Sequence, residues 1–121
     1  MTLNLERVID GDTLVASGRK IRLWGINAPE RGKPYYDVST MFLKAVLKNG
    51  KLECKFLEKD RYQRDVMHCW IDKVDLGALI VEAGLAIDYE RYSDGFYYYQ
   101  ERLAKLKNRG MWKGTKYRIG E

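Results

Sequence analysis

The chain has 121 residues, 45% of them apolar and 32% charged, which is typical of one globular domain and excludes a disordered chain. No apolar run is long enough to predict a transmembrane helix, and no apolar stretch follows Met1, so no signal peptide is expected in this sequence. A net charge of +5 and a pI near 9.2 favour an anionic partner. We expect a single domain over residues 1–121, ending in a loose tail at 113–121, and a monomer.

Five short segments have the apolar or alternating pattern of β-strands, and glycine turns such as Asp10-Gly11 and Ser17-Gly18 separate the first three. The predicted strands are Leu3–Ile9, Thr13–Ala16, Lys20–Ile26, Leu52–Leu57 and Val66–Ile71. Five short strands with glycine turns are typical of a small barrel of the OB type.

Three further segments carry apolar residues at helical spacing. The first would place one face of a helix toward the core, formed by Val38, Phe42, Ala45 and Val46. Asp75 is expected to cap the second helix, which Gly84 ends, and Ser93 or Asp94 opens a third that ends before Gly110. The sequence therefore predicts an α+β fold, a five-stranded OB-type β-barrel with three α-helices.

Cys54 and Cys69 flank the segment Asp60–Arg64. A hairpin that turns near Arg61 would bring the two cysteines opposite each other, close enough for a disulfide. A disulfide would indicate an oxidising compartment, whereas two buried free thiols are the alternative.

Several hydrolase classes are excluded by what the sequence lacks. His68 is the only histidine, so a ribonuclease with two catalytic histidines is excluded. No GxxxxGK[ST] loop is present, which excludes nucleotide hydrolysis of the P-loop kind. Hydrolysis would therefore depend on carboxylates, arginines, tyrosines and a metal ion.

Acids or arginines occur in each of three short segments, Val8–Thr13, Arg22–Glu30 and Asp60–Arg64. Carboxylate oxygens can hold a hard cation, and guanidinium groups bind phosphate through two hydrogen bonds at once. Without a second histidine, a glutamate is the plausible base. The three segments together predict a small metal-dependent nuclease.

The same segments, with the helix end at Ala83–Ala86, resemble the staphylococcal nuclease (thermonuclease) family. The resemblance extends from about Leu5 to Trp112 and follows the order of an Asp-Gly-Asp-Thr turn, a Pro-Glu turn and a Tyr-x-Arg hairpin. It implies an OB barrel with three helices that hydrolyses DNA and RNA with one calcium ion and leaves 3′-phosphate ends. The implied substrates are single-stranded or flexible nucleic acids.

The resemblance also implies a role for each matching residue. The metal ligands would be Asp12, Asn27 and the backbone carbonyl of Ala28. Asp10 would be an acid next to these ligands without binding the metal itself, and Thr13 would support the metal-bound waters. Glu30 would orient or deprotonate the attacking water, Arg22 and Arg64 would hold the phosphate, and Tyr62 and Tyr89 would contact the substrate.

Asn27 departs from the family pattern, since the family has a second aspartate ligand at this position. An amide oxygen still coordinates calcium, but the site loses one negative charge, so weaker calcium binding is expected. The departure supports an alternative function, a catalytically silent nucleic-acid-binding module like the nuclease-like repeats of Tudor proteins.

Structural interpretations of the same residues stay open. Asp10 and Asp12 could form only a tight turn, and Arg22 could be a structural partner of Asp12 or Glu30. The expected location, secreted or periplasmic, rests on the disulfide and on the family resemblance.

Overall fold

The computed structural model describes residues 1–114, so the tail expected at 113–121 lies outside the described residues except for Lys113 and Gly114. The strands are β1 (Thr2–Leu3), β2 (Leu5–Asp10), β3 (Thr13–Ala16), β4 (Arg19–Leu23), β5 (Ile26–Asn27), β6 (Leu52–Lys59), β7 (Asp65–Ile71), β8 (Val74–Asp75) and β9 (Ile87–Asp88). The helices are α1 (Tyr36–Leu47), α2 (Leu76–Glu82), α3 (Glu90–Ser93) and α4 (Tyr98–Leu106), followed by a 3₁₀ turn at Gly110–Trp112.

The main sheet has the strand order β1-β6-β7-β4-β3-β2, with β8 added to β7, and β5 pairs separately with β9. The pairing of β4 with β7 is parallel, whereas the other neighbours are antiparallel. The α+β fold is confirmed, but within the described residues the sheet has more than five strands and is not closed. The first predicted strand divides because Thr2–Leu3 pairs with β6 while Leu5–Asp10 pairs with β3.

The third predicted helix is two helices in the structure. Ser93, the predicted start, is the last residue of α3, and α4 begins only at Tyr98. Asp94 and Gly95 have φ values of 54° and 80°, which lie in the left-handed region and interrupt a right-handed helix. Within residues 1–114 there are thus four α-helices rather than three.

Helix α1 packs on the core through a face rotated from the one predicted: Phe42 and Val46 pack against the core as expected, but Val38 and Ala45 are exposed. Its buried residues are Ser39, Leu43 and Leu47, whereas Val38 is 50% exposed. Ser39 can be buried because its hydroxyl donates a hydrogen bond of 2.6 Å to the backbone carbonyl of Leu85. Asp75 caps α2 as expected, accepting a hydrogen bond from the Ala78 N–H at 3.1 Å.

Strands β6 and β7 form the hairpin whose turn carries the segment Asp60–Arg64. Cys54 and Cys69 are register partners in this hairpin, and the structure joins them by a disulfide with 4.1 Å between their Cα atoms. At the other end of the hairpin, buried Asp65 accepts hydrogen bonds from Lys59 at 2.8 Å and Arg19 at 3.0 Å. These contacts join β4, β6 and β7 next to the turn, and they lower the pKa of Asp65, the Lys59 hydrogen bond most of all.

Candidate active site

An open pocket of about 840 Å³ lies where the end of β4, strand β5, the β6–β7 turn and the start of α3 meet. Every residue predicted to be catalytic, metal-ligating or substrate-binding lines it: Asp12, Arg22, Asn27, Ala28, Glu30, Tyr62, Arg64 and Tyr89. Asp10 and Thr13 are absent from its wall and contact Asp12 instead. The fold thus brings together residues that are up to 77 positions apart in the chain, from Asp12 to Tyr89.

Asp12 is 8% exposed and is held by hydrogen bonds on both carboxylate oxygens. Its Oδ2 accepts from the Ala28 N–H at 2.9 Å, and its Oδ1 accepts from the Thr13 hydroxyl at 3.1 Å. Its own N–H donates to Asp10 Oδ1 at 3.1 Å. Burial raises the pKa of Asp12, and the negative charge of Asp10 adds to that effect, while Arg22 opposes it. The carboxylate therefore lies in a place where a further positive charge would be stabilising.

Gly11 allows the Asp10–Asp12 turn to pack against the next part of the site. A Cβ atom at this position would lie 2.8 Å from the Cβ of Ala28 and 2.9 Å from the Cβ of Ser39. Both distances are shorter than carbon atoms tolerate, so only glycine lets the turn approach this closely. The close approach is what places Asp12 within hydrogen-bond distance of the Ala28 N–H.

The Arg22 guanidinium is fixed by the backbone around it. Nη1 donates to the carbonyl oxygens of Leu23 and Ile26, both at 2.9 Å. Nη2 lies 3.4 Å from Asn27 Oδ1 and 3.5 Å from Asp12 Oδ2. Of the two acidic partners considered from the sequence, Asp12 is therefore the one found, and a phosphate at this position would meet a guanidinium that is already oriented.

Arg64 is held by the turn that carries it. Asp60 accepts hydrogen bonds from Arg64 Nε at 2.8 Å and from the backbone N–H groups of Arg64 and Tyr62, both at 2.9 Å. Burial opposes the ionisation of Asp60, but these hydrogen bonds outweigh it and lower its pKa. Sequence reasoning did not assign Asp60 this role, although an aspartate whose side chain bonds the backbone two residues on is a known turn signal.

Glu30 is exposed on the rim, and within residues 1–114 its carboxylate makes no hydrogen bond or ion pair. Tyr89 is placed by its N–H, which donates to the Gly25 carbonyl at 2.8 Å, and its ring lies edge-on to Tyr92 at 4.9 Å. The pocket also contains aromatic and basic residues to which the sequence assigned no role: Trp24, Lys59, Arg61 and Arg91.

The donor atoms near Asp12 fit a hard cation. Carboxylate, amide and carbonyl oxygens come from Asp12, Asn27 and Ala28, and oxygen donors suit calcium or magnesium better than zinc. No group of three or more His, Cys, Asp and Glu side chains able to hold a metal occurs in the part of the chain described. A cation here would therefore take most of its remaining ligands from water or substrate.

The fold and the pocket define a small α+β domain that presents arginines and carboxylates together in one cleft. The chain belongs to the family described as "Staphylococcal nuclease homologue", whose model matches residues 20–114. The resemblance found in the sequence is thereby confirmed. Among residues 1–114, no helix is both long and apolar enough to cross a membrane.

Individual relatives align with most of this chain. An "Uncharacterized endonuclease" of Escherichia coli O157:H7 is 33% identical over 112 residues, which cover 88% of this chain and 73% of that protein. The "Thermonuclease" of Staphylococcus hyicus is 30% identical over 118 residues, or 88% of this chain and 69% of that protein. The "Succinoglycan biosynthesis protein ExoI" of Rhizobium meliloti (strain 1021) is 32% identical over 118 residues, and the match spans 88% of this chain but only 62% of that relative.

Proposed function

We propose that this chain is a calcium-dependent endonuclease, a hydrolase that cleaves phosphodiester bonds in DNA and RNA with little base specificity and leaves 3′-phosphate ends. The observation that carries the proposal is the convergence of Asp12, Arg22, Glu30 and Arg64 in one pocket from three separate segments. Membership of the staphylococcal nuclease family supports nuclease activity, as do the endonuclease and thermonuclease names of the relatives.

Asp12, Asn27 and the Ala28 carbonyl would hold the calcium ion, with Asp10 and Thr13 fixing Asp12. When bound, calcium supplies positive charge that polarises a phosphate oxygen. The raised pKa of Asp12 is consistent with this assignment, since a cation would favour its ionised form.

The protein's own residues account for the proton and charge movements of the cleavage. Glu30 accepts a proton from the attacking water, whose oxygen forms the new bond to phosphorus while the bond to the 5′-oxygen breaks. Arg22 and Arg64 stabilise the negative charge that develops on the equatorial oxygens, because each guanidinium can donate two hydrogen bonds. The leaving 5′-oxygen takes its proton from water or from Arg64.

The pocket walls favour a substrate that is recognised through its backbone. Arginines contact phosphate whatever the sequence, and the pocket-lining Tyr62 and Tyr89 would contact bases of any identity. Single-stranded or flexible DNA and RNA can turn into such an open pocket more easily than a rigid duplex. We expect a monomer, working in a secreted or periplasmic setting with which the Cys54–Cys69 disulfide is compatible.

A catalytically silent nucleic-acid-binding module is the second candidate, and Asn27 is the observation that favours it. An amide in place of a carboxylate leaves Asp12 as the one charged ligand in the proposed set. Such a module would still bind nucleic acid through Arg22 and Arg64 but would bind without calcium.

Digestion of single-stranded DNA over a calcium series, with a chelator control and the Glu30→Gln variant, tests the proposal. Cleavage that requires calcium and falls by about two to four orders of magnitude in Glu30→Gln would support the enzyme. Calcium-independent binding without any product would support the silent module. Equal loss of binding and cleavage in Glu30→Gln would instead make Glu30 a structural residue.

A further inference from the structure

Four aromatic side chains beside the pocket contact one another: Trp24 directly after β4, His68 and Trp70 on β7, and Phe96 between α3 and α4. In this aromatic ladder, Trp24 lies 4.9 Å from His68 and 5.3 Å from Phe96, and His68 stacks on Trp70 at 4.1 Å between ring centroids. Phe96 is 55% exposed, and the other three side chains are partly exposed. The His68 side chain is only 15% exposed, because its ring packs against both Trp24 and Trp70, and Trp24 itself packs against the core. The aromatic surface open to solvent therefore comes chiefly from Phe96 and Trp70, outside the residues assigned to cleavage.

The ladder continues directly from the pocket. Trp24 and Val66 line the pocket, and His68 and Trp70 follow Val66 on the same outer face of β7 at alternate positions. At about 3.3 Å per residue, they lie roughly 7 Å and 13 Å further along the strand. A strand of nucleic acid leaving the pocket along β7 would therefore pass over these rings.

The ladder is rigid because buried polar contacts hold its central ring, that of His68, in place. His68 Nε2 lies 2.8 Å from Asp75 Oδ2 and 3.2 Å from the hydroxyl of Tyr97, which is itself buried. Tyr97 in turn donates a hydrogen bond to Asp75 at 2.9 Å. A platform held in this way loses little conformational freedom when a ligand stacks on it.

On one side of the ladder, a positively charged side chain is placed where it could contact the phosphates of a nucleic-acid backbone. Exposed Lys55 is the register partner of His68 on β6, and paired residues project from the same face of a sheet. Trp70 has an acidic register partner on each side, Glu53 on β6 and Asp75 on β8. The favourable side for phosphate therefore lies next to Lys55, nearer the pocket.

We propose that the aromatic ladder of Trp24, His68, Trp70 and Phe96 is a base-stacking platform for single-stranded nucleic acid that extends out of the pocket. The proposal rests on the proposed function for the identity of its ligand. Stacking on aromatic rings tolerates any base, so the platform would add affinity for longer single strands without adding sequence preference.

The experiment compares binding of fluorescent d(T)₃ and d(T)₁₂ by anisotropy, using the full chain with Glu30→Gln so that the oligonucleotides stay intact. Trp70→Leu and Phe96→Leu, each tested alone, are expected to lower the ratio of d(T)₁₂ affinity to d(T)₃ affinity about tenfold. This is the effect expected when one base loses its stacking partner. The salt dependence of d(T)₁₂ binding should stay the same, because no phosphate contact is removed. Tyr99→Leu is the matched control, since Tyr99 is 79% exposed and lies outside the ladder on α4.

An unchanged ratio in Phe96→Leu, or an equal fall in Tyr99→Leu, would overturn the proposal. So would a ladder variant that altered the molecular mass in solution and left oligonucleotide binding intact, because the ladder would then be a contact between copies. Thermal unfolding shows whether Trp70→Leu is folded, and exposed Phe96 carries the test if it is not. Cleavage by the unsubstituted chain is measured separately, so failure of the proposed nuclease does not hide the result for the ladder.

Discussion

Replacing Asn27 by aspartate would add one negative charge where the proposed calcium site has lost one. The Asn27 Oδ1 atom lies 3.4 Å from Arg22 Nη2 and lines the same pocket as Asp12. With an effective dielectric constant near 20, a unit charge about 4 Å from a divalent ion gains roughly 8 kcal/mol. Desolvation of the new carboxylate and its partial exposure to water cancel most of this gain. We expect Asn27→Asp to bind calcium about ten- to a hundredfold more tightly, or roughly 1.4–2.8 kcal/mol.

Calcium titration by calorimetry at low ionic strength measures the change, and thermal unfolding with and without calcium provides a second readout. Asn49→Asp is the control, because Asn49 is exposed between α1 and β6 and its substitution changes the net charge by the same amount as Asn27→Asp. Equal calcium affinity in the unsubstituted chain and in Asn27→Asp would refute the assignment of Asn27 as a ligand. An equal gain in Asn49→Asp would show that only the overall charge matters.

Three further predictions concern catalysis and stability. Arg22→Lys should lower kcat about a hundredfold or more with a much smaller change in substrate affinity, because an ammonium cannot donate two parallel hydrogen bonds; near-normal kcat would refute the role of Arg22. Burial opposes the ionisation of Asp75, but hydrogen bonds to its carboxylate, including one from Tyr97, outweigh burial and lower its pKa. The ionised Asp75 therefore stabilises the fold above about pH 4, and this stabilisation is lost as the pH falls through the lowered pKa. Asp75→Asn should therefore reduce the free energy of unfolding in urea by about 1–3 kcal/mol at pH 7 and by less at pH 3, and a pH-independent difference would contradict this. Replacing both Cys54 and Cys69 by serine, at a separation of 15 residues, should cost about 3 kcal/mol, and reductant should then have no further effect on unfolding.

The residues that line the candidate pocket were largely predictable from the sequence, because the segments that carry them are local motifs. The Asp10–Asp12 turn, the residues after Arg22 and the Tyr62–Arg64 turn each form a short motif whose residue types indicate chemistry. That they share one pocket could be expected only from the family resemblance, since the parallel pairing of β4 with β7 joins segments more than 40 residues apart.

The errors came where tertiary contacts outweigh local pattern. Apolar spacing in α1 favoured a face containing Val38, but the buried face is that of Ser39, Leu43 and Leu47. The burial of Ser39 was not readable from hydrophobicity, because its hydroxyl depends on the distant Leu85 carbonyl. Likewise, Asp94 and Gly95 adopt left-handed conformations that divide the third predicted helix, although Asp94 is one of its two predicted starts. Asp60 was part of a motif, but its hydrogen bonds to Arg64 become visible only in the folded turn.

The parallel pairing of β4 with β7 also has a consequence for folding. Residues 21–23 meet residues 65–67, so the two guanidinium groups face one pocket only after a long loop has closed. A partly folded chain that has formed only the β2–β4 meander or only the β6–β7 hairpin contains one of the two proposed phosphate-binding arginines, Arg22 or Arg64, and cannot bind phosphate with both. Nucleotides should therefore bind the native state alone, and the rate at which binding capacity returns during refolding would report when this long-range contact forms.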